Sequence, residues 1–177
     1  MNLFKSIIVL FIALSVGCSA DIDDYGQTSP DFDLFGFFDG RVKAWGMVQD
    51  YSDKQTRRFE VDIVGVIDGQ TLTLVEDFVF DDGELSQRIW VITRQGPGQY
   101  TGTADDVVGE ATGVASGNAL NWRYQMDLAV SGDTYRVTFD DWMYRQDERN
   151  MFNIATISKF GVDVGTVTLF FTKVDAP

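Results

Sequence analysis

The sequence predicts an all-β fold: an up-and-down antiparallel β-barrel of about ten strands, with a short helical plug near its start. Three observations predict it. Turn signals recur roughly every 8–16 residues from Gly40 onward, among them Asp68-Gly69, Asp82-Gly83, Gly96-Pro97-Gly98, Gly117-Asn118 and Gly132-Asp133. The segments between them are rich in Val, Ile, Thr and aromatics, the residues that suit a pleated, half-buried surface. Finally, consecutive hairpins with no long crossover leave exposed edges unless the sheet closes, which favours a barrel over a sandwich.

Taken in order, residues 1–17 read as an export signal, with Lys5 leading an apolar run from Ile7 to Leu14. That run is far below the roughly 20 residues a membrane-spanning helix needs. Leu14-Ser15-Val16-Gly17-Cys18 has the form of a lipobox, and Cys18 is the only cysteine in the chain. It stands where a bacterial lipoprotein needs a thiol for diacylglyceryl transfer, so Cys18 is the expected lipidation site. Simple secretion, with a small-x-small cleavage near the same point, is the competing reading. Serine rather than aspartate after the cysteine points to the periplasmic face of the outer membrane. Two or three acyl chains anchor a protein stably, so the body needs no membrane-binding surface of its own.

Residues 18–31 are polar and acidic with little to bury, and read as a flexible tether. Asp21, Asp23 and Asp24 have some of the spacing of a calcium loop, but Tyr25 stands where the next ligand belongs, so no metal is expected. Phe32, Leu34, Phe35, Phe37 and Phe38 are too dense an apolar cluster for a surface patch and fit a short helix plugging one end of the sheet. Residues 32–177 then form a single barrel domain. Its strands fall near 41–51, 55–67, 70–81, 84–95, 98–104, 107–116, 118–130, 133–144, 149–160 and 162–174.

Hairpin loops fix register. With Asp68-Gly69 as a two-residue loop, Ile63 meets Leu74 and Phe59 meets Phe78. Asp82-Gly83 likewise sets Leu74 opposite Val91, and Asp77 opposite Arg88 on the other face. Gly132-Asp133 sets Val130 opposite Tyr135, Leu128 opposite Val137 and Met126 opposite Phe139. Each register places apolar residues together on one face, as a sheet with one buried side requires.

Composition excludes several functions. The net charge of −13, made one unit more negative by loss of Lys5, repels nucleic acid and anionic lipid head groups. There is no histidine, which removes Ser-His-Asp catalysis and histidine metal ligation. With one cysteine there is no intramolecular disulfide. No phosphate loop or other cofactor motif is present, and no cofactor is expected. The adjacent pairs Asp105-Asp106 and Asp140-Asp141 do not form a catalytic dyad, because neighbours in a strand point to opposite faces.

Two carboxylates break the apolar rows. Glu76 lies between Leu74 and Phe78, with Val61 and Ile89 as expected cross-strand neighbours, and Asp141 continues the row Tyr135, Val137, Phe139 and faces Tyr124. Gln87 falls on the same side. A few polar groups in a greasy interior are what orient a ligand in a barrel pocket. Pairing with an arginine or lysine of the first or last strand would instead make them structural. On the binding reading, Phe78, Ile89, Trp122, Tyr124, Met126 and Phe139 form the walls, with Glu76, Gln87 and Asp141 as polar contacts.

Several strings resemble a family of uncharacterised bacterial lipoproteins known as domain of unknown function 3833. They are Phe38-Asp39-Gly40 with Trp45-Gly46; Glu76-Asp77-Phe78 with Asp82-Gly83; Arg88-Ile89-Trp90; Gly102 to Gly109; Gly117 to Tyr124; Phe139 to Tyr144; and Ser158 to Gly161. The resemblance implies a lipoprotein with a lipocalin-like barrel and brings no assigned activity. Its implied partner is a hydrophobic or amphipathic small molecule, a fatty acid or lipid. The other readings are a scaffold with a solidly packed barrel and, third, an enzyme acting on a lipid.

Overall fold

The computed structural model describes residues 20–130 and 132–174. Ten strands form one closed antiparallel barrel: β1 (Gly40–Asp50), β2 (Gln55–Asp68), β3 (Thr71–Phe80), β4 (Leu85–Gly96), β5 (Gln99–Thr103), β6 (Val107–Ser116), β7 (Ala119–Val130), β8 (Asp133–Arg145), β9 (Asn150–Lys159) and β10 (Val162–Lys173). Each strand pairs with its sequence neighbours, and β1 closes on β10 through pairs such as Ala44 with Phe171 and Gly46 with Leu169. Closure leaves no edge for another chain to extend. Side chains alternate as a one-sided sheet demands: on β2, Phe59, Val61 and Ile63 are buried while Glu60, Asp62 and Val64 face solvent.

The apolar cluster does form a plug. Leu34–Phe38 is a short helix, α1, with Leu34, Phe35, Phe37 and Phe38 all buried. Phe37 packs edge-on to Phe38 with ring centroids 5.2 Å apart, and Phe38 packs edge-on to Phe171 of β10 at 5.8 Å. The Phe38 carbonyl approaches β2 at Gly65, where any Cβ would collide with it. Lys173 Nζ donates to the carbonyls of Gly36 and Asp39 at 2.8 and 3.2 Å, tying the end of α1 to the last strand. Buried Arg145 donates to the Asp31 carbonyl at 3.0 Å, so the entry to α1 is tied to β8.

The segment expected as a flexible tether is partly built into the barrel wall. Ile22–Tyr25 is a 3-10 turn closed by a reciprocal cap: Asp23 N–H donates to Asp21 at 3.0 Å, and Asp21 N–H donates to Asp24 at 3.1 Å. The aspartates therefore serve one another's backbone. Tyr25 packs at a tilt on the outer face of β8, with its ring centroid 5.8 Å from that of Trp142 and 5.6 Å from that of Tyr144. The segment then crosses the β6–β7 hairpin, where Thr28 Oγ1 donates to Asn118 at 2.7 Å and Phe32 N–H to the Gly117 carbonyl at 2.6 Å. Composition signals disorder here, but the half-buried Tyr25 ring and the hydrogen bonds to the β6–β7 hairpin hold the segment.

The registers correct the expectations in two ways. In β2–β3 the loop is one residue further on: Asp68 pairs with Thr71, with Gly69 at φ +58. Phe59 therefore meets Phe80, and Ile63 meets Glu76. In β7–β8, Val130 pairs with Asp133, so Met126 meets Val137, Tyr124 meets Phe139 and Asp141 meets Trp122. Both are slips of two residues, which change partners but keep every side chain on its expected face.

The β3–β4 hairpin differs by one residue, and that inverts β4. Asp81-Asp82-Gly83 form a three-residue loop, with Gly83 N–H donating to the Phe80 carbonyl at 3.0 Å and Gly83 at φ +86. Glu76 now meets Arg88, and Leu74 meets Trp90. Gln87 and Ile89 point outward: Ile89 is exposed, and Gln87 Nε2 donates to Asp77 on the outer face at 2.7 Å. Both therefore leave the set of interior candidates. Arg88, Trp90 and Ile92 take their place.

Candidate functional site

The barrel is hollow. A cavity of about 300 Å³ runs below the mouth, with α1 across its far end. It lies at the lower limit of ligand-binding pockets. Seven expected residues line it: Glu76, Phe78, Trp122, Tyr124, Met126, Phe139 and Asp141. The walls are joined by aromatic contacts, across the interior between β4 and β7 and between the paired strands β7 and β8. Trp90 meets Trp122 and Tyr124 edge-on at 5.7 and 5.4 Å, and Tyr124 stacks on Phe139 at 5.0 Å. The mouth, opposite α1, carries Arg57, Phe78 and Phe80, with the Arg57 guanidinium 3.5 Å above the Phe80 ring.

Two interior carboxyls sit midway along their strands. Asp141 is buried and accepts from Asn153 Nδ2 of β9 at 3.1 Å. Burial pushes its acid up to about 6, while the Asn153 and Tyr124 hydrogen bonds pull the other way. Glu76 has no hydrogen-bond partner among the described residues, and the surface it retains lines the cavity. Burial pushes it up to about 7, with the Arg88 charge opposing and those of Asp106 and Asp141 adding to the rise. The Tyr124 hydroxyl is pushed well above its ordinary value by burial and by Asp141, so it stays a neutral donor.

Among the described residues no arginine or lysine of β1 or β10 pairs with these acids; the cation set opposite Glu76 comes from β4. Arg88 donates from Nε and Nη2 to Asp106 at 3.0 and 2.6 Å, and its Nη2 lies 3.9 Å from Met126 Sδ. Asp106 sits in the turn between β5 and β6, so the second aspartate of Asp105-Asp106 clamps an interior arginine. Asp140, beside Asp141, faces outward and is bound by Arg123 and Asn121.

Sequence reasoning missed Arg88, Trp90 and Asn153. Asn153 was within reach, because Met151, Asn153, Ala155 and Ile157 alternate on the inward face of β9. Trp142 pairs across to Asn121 and packs on Tyr25 outside the barrel.

A larger concavity, about 590 Å³, lies on the outside of the wall across β9, β10, β1, β2 and β3, rimmed by Trp45, Phe152 and Phe170. Its charges are solvated rim groups such as the Arg58–Asp81 pair at 3.2 Å. The interior cavity, though smaller, is where polar groups converge in an apolar shell, and it is the candidate site. Among the described residues no group of acidic side chains or cysteine is arranged to hold a metal ion, and no helix is long and apolar enough to cross a membrane.

A search of the curated proteins finds no match to the chain. Among solved structures, the barrel is similar to the S-type phycobiliprotein lyase CPES from Guillardia theta, with a TM-score of 0.58 and 9% identity. The likeness covers 81% of this chain and 92% of that one, and at such low identity it speaks to the lipocalin-like fold. A family model described as "Protein of unknown function (DUF3833)" matches residues 12–173.

Proposed function

The chain belongs to the DUF3833 family of proteins of unknown function, and on that premise we propose that its lipocalin-like barrel binds a hydrophobic or amphipathic small molecule, of lipid type, at the periplasmic face of the outer membrane. The observation that carries this is the cavity of about 300 Å³, walled by aromatics and holding Glu76 and Asp141. A scaffold acting only through its outer surface has no use for buried acids beside an empty volume. A packed apolar core is more stable, because cavities and buried ionisable groups both cost free energy.

The anchor is part of the same proposal. Cys18 lies outside the described residues; the lipobox around it supports lipidation. It precedes Asp21 by three residues, a reach of at most about 11 Å. The 3-10 turn that begins at Ile22 is held at the β6–β7 hairpin, on the plugged end of the barrel. A lipid on Cys18 would then hold the plugged end against the bilayer and turn the mouth toward the periplasm. Ligand would enter from the aqueous side.

Native mass spectrometry of the protein extracted from membranes tests the binding reading. We expect a bound apolar molecule, released on unfolding, and reloading of the emptied barrel by a lipid-like probe such as N-phenyl-1-naphthylamine. Protein that is empty as extracted and does not take up the probe would contradict it.

A further inference from the structure

The charges around the cavity are distributed unevenly, and they select a head group. Four charged side chains line it: Arg57, Glu76, Arg88 and Asp141. Both arginines are already held by carboxylates outside the cavity. Arg57 Nη2 binds Asp82 and Glu84 at 2.9 and 2.7 Å, and Arg88 binds Asp106 at 2.6 Å. The two acids are not neutralised in the same way. Asp141 has an amide and a phenol for partners, and Glu76 accepts no hydrogen bond from any described residue.

The interior therefore offers an open acceptor at Glu76, while the charges of its cations are largely offset by carboxylates outside the cavity; the donors left over are single ones, such as the unpartnered Arg57 Nε at the mouth. A carboxylate-headed ligand entering here would compete with Asp106, Asp82 and Glu84 for the same two guanidinium charges. Its own charge would also lie near two acids, at the cost of burying a like charge. An ammonium or hydroxyl group meets the opposite situation, because it donates to the acceptor that lacks a partner. We propose that the ligand of this cavity is an apolar body whose polar end is a hydrogen-bond donor, an amine or a hydroxyl, received by Glu76 with Asp141 beside it, and that carboxylate-headed lipids are disfavoured. This rests on the binding reading above and narrows it.

A matched series with one tail isolates the head group. Dodecylamine, dodecanol and dodecanoate are titrated, below their aggregation limits and at about pH 8 so that Glu76 is ionised, against the intact lipidated protein loaded with N-phenyl-1-naphthylamine. Displacement of the probe reads affinity. We expect the amine to bind at least about tenfold more tightly than the carboxylate, with the alcohol between them. In Glu76→Gln the amine's advantage over the alcohol should fall to less than about threefold, while the alcohol itself changes little. Asp141→Asn serves as a second variant if the first is lost to misfolding. Removing a single charge from so acidic a chain leaves its general attraction for cations almost intact, so such a loss assigns the effect to the cavity.

Dodecanoate binding as tightly as the amine would overturn the inference while leaving the binding reading in place. So would an amine preference that survives in both variants. Binding of none of the three, and no uptake of the probe, would overturn both.

Discussion

Glu76 and Arg88 stand opposite each other across β3 and β4 inside the barrel, yet the arginine directs its Nε and Nη2 to Asp106, at 3.0 and 2.6 Å. Asp106 approaches from the β5–β6 turn and so holds the guanidinium from beyond the cavity. The charge of Arg88 still bears on Glu76, but no hydrogen bond from a described residue satisfies the acid. A carboxyl in that position costs stability in an empty barrel, and its retention makes sense when something else occupies the space.

The first prediction concerns pH. The folded-state value of Glu76, about 7, lies above its ordinary 4.5, so the folded chain holds this proton more tightly than the unfolded chain. Stability therefore falls as pH rises from about 4.5 to about 7 and then levels off. Asp141 acts with the same sign between 3.8 and about 6. Glu76→Gln removes the Glu76 part. The ligand-free variant should match the parent near pH 4 and be more stable by on the order of 2–3 kcal/mol near pH 8. Urea unfolding at the two pH values measures this; an equal effect at both would exclude a buried titrating Glu76.

A second prediction tests the plug. Gly65→Ala would drive a methyl group into the carbonyl of Phe38, which lies against β2 there. The strand is rigidly paired on both sides, so α1 must lift, at a cost of about 1–3 kcal/mol. Gly96→Ala is the control, because its new Cβ meets only a Gln99 side-chain atom at 4.0 Å. Denaturant midpoints should separate the two variants clearly. Equal midpoints would mean that α1 is not seated on Gly65.

The third concerns the anchor. Cys18→Ser should leave an unlipidated protein that partitions into the aqueous phase of a detergent phase separation, while the parent partitions into detergent. Parent protein found in the aqueous phase would contradict lipidation at Cys18.

Much of this fold was legible because period-two alternation survives small errors. Misplacing the loops at Gly69 and Gly132 by one position moved partners by two residues and left Glu76, Trp122, Tyr124, Met126, Phe139 and Asp141 facing inward. The hairpin after Phe80 was different, since its extra loop residue reverses every side chain that follows. Strand β4 gave no warning, because Ile89 and Val91 on one face look as apolar as Trp90 and Ile92 on the other. The available signal was Asp81-Asp82-Gly83, which suits a three-residue loop with glycine left-handed at its end. The interior arginine, and with it the meaning of Glu76, depended on that one residue. The plug was readable for a simpler reason: five large apolar residues within seven positions cannot remain in water.

The most direct test of the central claim is where the ligand sits. Trp90 and Trp122 line the interior cavity, Trp45 rims the groove on the outer wall, and Trp142 packs under Tyr25 outside. A brominated alkyl amine quenches tryptophan fluorescence only at contact range. In a Trp45→Phe/Trp142→Phe variant, titration with such a compound should quench most of the remaining emission, saturably and in competition with dodecylamine. Emission left unquenched in that variant, with quenching retained in a Trp90→Phe/Trp122→Phe variant, would place the molecule in the outer groove and contradict the account.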